Sequence, residues 1–333
     1  MSAVIGRRRP GRDAAARRRG RGQRGFTLIE LMVALVIGLL VAAAAVAALI
    51  VARQGFNSVD SGTQLRENVR FASSLIQRIG VQAGYVDVYM NRAPLVTDPA
   101  GISGFDNTDV GVVPATGPTF PAGTGVNGSD ALVVRFWGVS TRPNDVTAPA
   151  DGSMINCAGI AEPERPGVPA TSIFHIVTSS SGEPTLVCTY RDPTSGLWAR
   201  VPLVQGVESM QVLYGVDGVT PNAVPPAPFV GADTVPERYL TATQMVVGGN
   251  SAATLDNWRR VRSLRIGLLV RGPASTSVDR AGTAMTYAVL GSGFSAAGDT
   301  GANLTTVADG RLRQHLVFNV HLRNPQDQRS PPE

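Results

Sequence analysis

The stretch Gly25-Phe-Thr-Leu-Ile-Glu-Leu-Met-Val-Ala-Leu-Val-Ile-Gly38 opens a long apolar segment, and this segment decides the fold of the chain. From residue 31 to residue 52 no side chain is charged. At about 1.5 Å per residue a helix over this run is about 33 Å long, enough to cross a bilayer. Nine arginines and one acid, Asp13, precede the segment. This asymmetry predicts that the amino end stays in the cytoplasm and that the rest is exported.

Glu30 lies at the start of the apolar segment, where a charge is unfavourable. A carboxylate inside lipid costs about 2.5–3.5 kcal/mol on insertion scales, so it is expected to have a partner. Cleavage after Gly25 would free the α-amine of Phe26, which is four residues before Glu30 and on the same helix face. The ammonium and the carboxylate would then neutralise each other, within one chain or between neighbouring helices.

The residues Gly25-Phe-Thr-Leu-Ile-Glu30 resemble the class III signal of type IV prepilins and pseudopilins. The resemblance implies that a prepilin peptidase cleaves after Gly25 and methylates Phe26, and that Glu30 acts in assembly. Two other interpretations are a Sec signal peptide cleaved at Ala45-Val-Ala47 and a plain single-pass anchor. The apolar run is too long for the signal peptide, and neither interpretation explains the glutamate.

The net charge changes sign when the leader, residues 1–25, is removed. The whole chain carries +5, of which the leader contributes +8, so the processed chain carries −3. This balance argues against general binding of nucleic acid by the processed chain. The length of 333 residues and the content of 37 Gly and 23 Pro suit one large, loop-rich domain after the first helix.

Two cysteines, Cys157 and Cys188, follow the membrane segment and are therefore expected in an oxidising compartment. A disulfide between them would close a loop of about 30 residues and stabilise the fold by roughly 3–4 kcal/mol. The alternative is two separate buried thiols. We expect the disulfide, because exported proteins seldom keep an even pair of cysteines reduced.

The hydrophobic pattern predicts an α+β fold, in which a long helix precedes antiparallel strands. The helix is divided into an apolar half, 26–52, and an amphipathic half, 53–80, with apolar residues at three- and four-residue spacing. The predicted strands are 131–139, 172–177, 185–190, 203–214, 261–270 and 315–323. The head is predicted to span 81–324, with irregular loops at 93–129 and 217–235 and a disordered tail at 325–333.

Three stretches of the head, 203–217, 258–271 and 310–324, resemble PilW-type minor pilins of type IV pili. The J-type pseudopilin of type II secretion has a related plan. The resemblance implies a type IV pilin-like fold and a structural subunit, not an enzyme, that joins a pilus priming or tip complex. Its expected partners are prepilin peptidase, other minor pilins and the major pilin. Before assembly it would lie in the bacterial inner membrane with its head in the periplasm, and afterwards in the pilus at the cell surface.

No constellation of residues predicts catalysis, a cofactor or a metal site. Gly123-Thr-Gly-Val-Asn-Gly128 satisfies G-x-G-x-x-G but precedes a strand instead of a helix, so it is interpreted as a turn. Asp106-Asn-Thr-Asp109 lacks the spacing of an EF-hand and is interpreted as a solvated turn. The histidines His175, His315 and His321 lie on predicted strands, outside any zinc-binding motif.

The densest basic group of the processed chain consists of Arg259, Arg260, Arg262 and Arg265 beside Trp258. We interpret it as the charged face of a strand. It could also contact DNA, an anionic surface or an acidic neighbour. A tip adhesin or DNA-binding subunit that uses this group or the two long loops is therefore an alternative function.

Overall fold

The computed structural model describes residues 25–87, 98–143, 145, 147–165, 167–226, 235–274 and 283–324, without the side chains of residues 57 and 58. The chain divides into two compact units, Met1–Arg53 and Gln54–Glu333. The expected leader before Gly25, the expected tail after Asn324 and parts of both expected loops lie outside the described residues.

Helix α1, Leu28–Gly80, is one continuous element of 53 residues. In the first unit its side chains are exposed. In the second unit one face is buried, at the three- and four-residue spacing that the sequence predicts: Leu65, Val69, Ala72, Ile76 and Ile79. The helix continues through Gly55 and Gly62 and ends at Gly80, and a turn over residues 81–84 follows it.

Most strands belong to two antiparallel sheets. The five-stranded sheet has the order β1-β4-β5-β6-β7, and the four-stranded sheet has the order β13-β10-β8-β9. The strands of the first sheet are β1 Ile102–Phe105, β4 Ala131–Phe136, β5 Ala170–Thr178, β6 Pro184–Arg191 and β7 Trp198–Gln205. Those of the second are β8 Val207–Val216, β9 Arg238–Leu240, β10 Val261–Arg271 and β13 Arg313–His321.

The remaining elements are short. Two small hairpins pair β2 Gly111–Val113 with β3 Gly117–Thr119, and β11 Thr286–Ala288 with β12 Asn303–Thr305. A 3-10 turn spans Val126–Gly128, helix α2 spans Ala242–Met245, and helix α3 spans Ser251–Arg259. A long helix followed by antiparallel sheets confirms the α+β prediction.

One hydrophobic core contains the buried face of α1 and one face of each sheet. From the five-stranded sheet it takes Leu132, Val134, Phe136, Phe174, Ile176 and Leu186; from the four-stranded sheet it takes Met210, Val212, Tyr214, Leu264, Ile266 and Leu268. In every one of these strands the core residues alternate, as the period of two along a strand requires. The amphipathic half of α1 is therefore an integral part of the head.

The predicted strand 203–214 is wrong, because the chain changes sheet at Gly206. β7 ends at Gln205 in the five-stranded sheet, and β8 begins at Val207 in the four-stranded sheet. Gly206 has φ of +84°, and a Cβ there would collide with the carbonyl oxygen of Arg271. Only glycine adopts this conformation in this space at little cost. The sheet change therefore depends on Gly206.

The stretch 93–129, expected as an irregular loop, contains ordered structure in its described part. β1 pairs with β4 from Ile102↔Val134 to Phe105↔Ala131, and Ile102 is fully buried. β2, β3 and the 3-10 turn follow it within the same stretch. In the second expected loop, 217–235, the described residues form turns and irregular segments.

A network of three acids and three arginines joins the β5–β6 turn to the second sheet. Its members are Glu183, Glu208, Asp309, Arg271, Arg311 and Arg313. Arg271 contacts Glu183 at 2.9 Å and Glu208 at 3.1 Å, so one guanidinium bridges the turn and β8. Arg313 binds Glu208 at 2.7 Å. No local pattern in the sequence predicts this network, since its members are up to 130 residues apart along the chain.

Candidate functional site

The expected cleavage site lies just before α1 and is open. Residues 25–27 have no regular secondary structure, and α1 begins at Leu28. A Cβ added at Gly25 would meet no atom within 4 Å, and Phe26 is 87% exposed. The peptide bond between Gly25 and Phe26 is thus non-helical and accessible, as a peptidase requires of a scissile bond.

Thr27 and Glu30 form a capping box at the start of α1. The backbone N–H of Thr27 donates to Glu30 Oε2 at 3.1 Å, and the Thr27 hydroxyl donates to the same oxygen at 3.2 Å. In return, Glu30 N lies 3.3 Å from Thr27 Oγ1. The pair satisfies backbone donors that no helical carbonyl reaches. The sequence contains a signal for this capping box that was not among the predictions above, namely a threonine followed three residues later by a glutamate before an apolar run.

The apolar part of α1 presents its side chains outward. From Leu28 to Gly55 every residue of the helix is exposed. Within the described part of the chain, α1 is the one helix that is long and apolar enough to cross a membrane. Such a surface on a continuous helix requires cover by lipid or by other apolar helices.

Cys157 and Cys188 form the disulfide that the sequence analysis expects. Their Cα atoms are 5.8 Å apart, and both residues are buried. Cys188 belongs to β6, and the Cys157 N–H donates to Ser172 Oγ on β5 at 3.0 Å. The bond therefore ties the segment before β5 to the core of the five-stranded sheet.

The prediction of an exposed strand face is wrong for half of the arginine group, since only Arg262 and Arg265 lie on a strand, β10, where both are half-buried. Arg259 ends α3, Arg260 follows it, and they are only 6% and 7% exposed. Arg259 donates to the carbonyl of Asp98 at 2.9 Å, and Arg260 donates to that of Pro226 at 2.6 Å.

The other two members of the group also bind backbone carbonyls. Arg262 donates to the carbonyl of Arg259 at 3.3 Å, and Arg265 donates to that of Leu290 at 3.0 Å. Three of the guanidinium groups therefore hold loops of the head in place, and that of Arg262 holds the end of α3. The burial of Arg259 and Arg260 argues against the group as a surface for DNA.

One constellation has the residue types of a catalytic triad but lacks access to a substrate. His175 Nε2 lies 2.9 Å from Thr189 Oγ1, and His175 Nδ1 lies 4.0 Å from Asp109 Oδ1. His175 and Thr189 are fully buried within the five-stranded sheet. Burial, followed by the charge of Arg200, lowers the pKa of His175 to about 3, so the imidazole is neutral. We assign this group a structural role.

The remaining motifs also have structural roles. Asp106 accepts from the N–H groups of Ala242 and Thr243 at the start of α2, at 2.9 and 2.7 Å. The residues Gly123–Gly128 form a turn that ends in the 3-10 segment. Among the described residues, no group of three or more His, Cys, Asp or Glu side chains is arranged to hold a metal ion.

Comparison with known families gives two matches. The family Type IV Pilus-assembly protein W matches residues 173–324, and the Prokaryotic N-terminal methylation motif matches residues 20–46. The first match covers most of β5 and every element from β6 to β13. The second covers the leader junction, the capping box and the start of α1. No protein of curated function matches the chain.

Among solved structures, the chain is similar to a type IV-like pilin from Thermus thermophilus, at 14% identity and a TM-score of 0.38. The similarity covers 79% of this chain and 98% of the Thermus chain. At this TM-score it adds nothing to the assignment, which rests on the two family matches. Together the two matches support a minor pilin of the PilW type that carries a prepilin signal at its amino terminus.

Proposed function

We propose that a prepilin peptidase cleaves the chain between Gly25 and Phe26 and that the new amino terminus is methylated. The observation that carries this proposal is the matched methylation motif, in which the bond between Gly25 and Phe26 is exposed and α1 starts two residues later. The capping box keeps residues 25–27 outside the helix. A peptidase can therefore bind them in an extended form.

We propose that the carboxylate of Glu30 is paired with donors of its own chain in the membrane and then with a neighbouring subunit in the filament. In the uncleaved chain Thr27 supplies two donors to the Glu30 carboxylate. Cleavage places the Phe26 ammonium one turn away, which adds a charge of opposite sign. In a filament the same carboxylate can pair with the ammonium of a neighbouring subunit, because a carboxylate accepts several hydrogen bonds.

The mature subunit then joins a pilus priming or tip complex through its apolar helix. The basic leader holds the amino end in the cytoplasm, and the head, with its disulfide, faces the oxidising periplasm. From the inner membrane the subunit moves into the pilus with other minor pilins and the major pilin. In this proposal the chain is a building block on which enzymes act.

The PilW match favours a type IV pilus over the alternative, a J-type pseudopilin of type II secretion. The alternative of a tip adhesin or DNA-binding subunit was based on the arginine group and on the two long loops. The arginine group supports it less, because its guanidinium groups are bound to backbone carbonyls. Deletion of the gene should therefore reduce pili on the cell surface and leave secretion of folded enzymes unchanged.

Mass spectrometry of the mature amino terminus tests the processing step. We expect a chain that begins with N-methylated Phe26. A chain that begins at Met1, or after Ala47, would contradict the proposal, because Glu30 would then lack an ammonium at one helical turn. Gly25→Val is the matched variant, and we expect it to accumulate uncleaved.

Two substitutions at Glu30 test the assembly step. Glu30→Val removes both the charge and the capping bond, whereas Glu30→Gln removes the charge and keeps an acceptor for Thr27. Both chains should be cleaved normally and be depleted from sheared pili relative to the membrane fraction. Normal incorporation of Glu30→Gln would show that the charge is not required.

A further inference from the structure

A cavity of about 330 Å³ opens on the surface of the head, where β1 meets α2 and α3. Its walls include Phe105 from β1, Phe120 from the segment after β3, Val246 after α2, and Trp258 from α3. The volume is at the lower end of the range of about 300–1,000 Å³ for small-molecule pockets, and it is large enough for one long side chain. The cavity has no part in the processing or assembly described above.

Three aromatic rings belong to the walls of the cavity, which are partly open to solvent. The rings of Phe105 and Phe120 are stacked, with centroids 3.9 Å apart and planes 12° apart. Phe105 is 38% exposed and Val246 is 46% exposed. Trp258 packs edge-on against Tyr214 at 4.8 Å, which fixes the wall from the core side. The aromatic surface is thus held by contacts within the head.

The charge in the wall is negative. Asp106 is the one ionisable residue among the described residues that line the cavity. Both of its oxygens hold N–H groups of α2, yet each keeps a lone pair for a further donor. Burial raises the pKa of Asp299 to about 6, and it also raises the pKa of Asp130. The charge of Asp106 is the second cause of both shifts. Acids are therefore concentrated on this side of the head.

The protein already binds a guanidinium on an aromatic ring elsewhere. Arg265 lies 4.0 Å from the centroid of the Phe294 ring, and its Nε donates to the carbonyl of Leu290. The cavity offers the same two elements, an aromatic face and an oxygen acceptor, without a cation from the described part of this chain. A lysine ammonium is more strongly hydrated and does not stack, so it fits this surface less well.

We propose that the cavity receives an arginine side chain of another protein. The guanidinium stacks on the Phe105 ring and donates to Asp106, while the methylene groups pack on Val246 and Trp258. A negative wall repels phosphate, so the partner is a polypeptide and not a nucleic acid. Arginine anchors of this kind in small pockets often dominate protein interfaces.

Methyl NMR of the full-length chain in detergent micelles tests the proposal, with the peptide acetyl-Gly-Arg-Gly-amide as the probe. We expect saturable shifts of the Val246 and Ala122 methyl groups. The citrulline peptide, which keeps the shape and loses the charge, should bind about threefold to tenfold more weakly, as should the arginine peptide to Phe105→Leu. Asp106→Asn should weaken binding in the same way.

The matched control is Val307→Ala, an exposed apolar position outside the cavity, which should leave binding unchanged. Three results would overturn the proposal: no saturable shift at Val246, equal binding of the citrulline peptide, or unchanged binding by Phe105→Leu. The methyl spectrum itself reports whether each variant is folded.

Discussion

Glu30 has hydrogen-bonding partners before any cleavage takes place, because Thr27 supplies both a backbone N–H and a hydroxyl. The sequence predicts only the ammonium at Phe26 as a partner. The structure adds an intramolecular one that exists while the leader is still attached. The carboxylate is therefore bound to donors at each stage, first at the helix start and later by the freed ammonium.

The first prediction concerns Thr27. Thr27→Val keeps the shape and removes the hydroxyl, and the loss of a capping side chain costs about 1 kcal/mol. A tenfold change in an equilibrium constant corresponds to about 1.4 kcal/mol. We therefore expect the Glu30 amide hydrogen to exchange about fivefold faster than in the wild type. Hydrogen exchange measured by NMR in micelles gives this rate. Thr27→Ser keeps the hydroxyl and should exchange as the wild type does; equal acceleration in both variants would rule out the capping role.

The second prediction concerns the buried imidazole of His175. Its pKa is lowered to about 3 by burial, so the folded protein keeps it neutral where the unfolded chain is protonated, below about pH 6.5. The contribution of neutral His175 to the free energy of unfolding is therefore fully present above pH 6.5, and it is lost as the pH falls toward 3. Asp130, Glu162 and Asp299 act in the opposite sense, because burial raises the pKa of each.

A variant separates these opposing effects. His175→Gln keeps a hydrogen-bonding group near Thr189 and removes the titration. We expect the loss of thermal stability between pH 6.5 and pH 4 to be smaller in His175→Gln than in the wild type. Circular dichroism melts of both chains over this range provide the comparison. Parallel pH curves would mean that His175 is not buried in its neutral form.

At the scale of elements, the ion-pair network links the β5–β6 turn to β8, β10 and the start of β13. Glu208 lies at its centre and has a side chain only 6% exposed, whereas that of Glu183 is 28% exposed. Removing one partner of a buried pair leaves a charge without compensation and costs about 3–5 kcal/mol. Exposed pairs contribute about 0–1 kcal/mol.

The third prediction follows from that difference in burial. Glu208→Ala should destabilise the chain by about 3–5 kcal/mol, because Arg271 and Arg313 lose a buried partner. Glu183→Ala should cost clearly less, since water reaches its position. Urea unfolding followed by tryptophan fluorescence gives both values. A similar cost for the two variants would show that burial does not control the strength of this network.

Hydrophobic periodicity was sufficient to predict most of the long strands and the amphipathic face of α1, but it missed most of β7. It failed where an element is too short to show a period, as in the four residues of β1, or where one glycine changes the sheet, as at Gly206. It also misplaced Arg259 and Arg260. Their acceptors, the carbonyls of Asp98 and Pro226, come from distant segments, and nothing in the local sequence marks them.

More of the candidate site than of the fold could be predicted from the sequence. Three of its features can be recognised from the sequence alone, because they are visible in the order of residues: the prepilin signal, the length of the apolar segment and the cysteine pair. The cavity beside Phe105 could not. It is formed by segments near residues 105, 120, 246 and 258, and only the packing of the head brings these segments together.

At the scale of the whole molecule, the boundary between the two units lies within α1 and not at its end. The second unit begins at Gln54, and its core includes Leu65, Val69, Ile76 and Ile79 from the helix. Burial of each of these side chains contributes about 1.5–3 kcal/mol. Their sum is comparable with the whole stability of a domain, about 5–15 kcal/mol.

The last prediction is that the head needs the second half of α1 to fold. A chain that begins at Gln54 should unfold in one cooperative thermal transition, because it keeps the buried helix face and the disulfide. A chain that begins at Val81 keeps all strands and the disulfide but exposes the apolar faces that the helix covers. It should show no cooperative transition by circular dichroism and should aggregate. If the shorter chain melted cooperatively at the same temperature, α1 would be an attached stalk and not a part of the core.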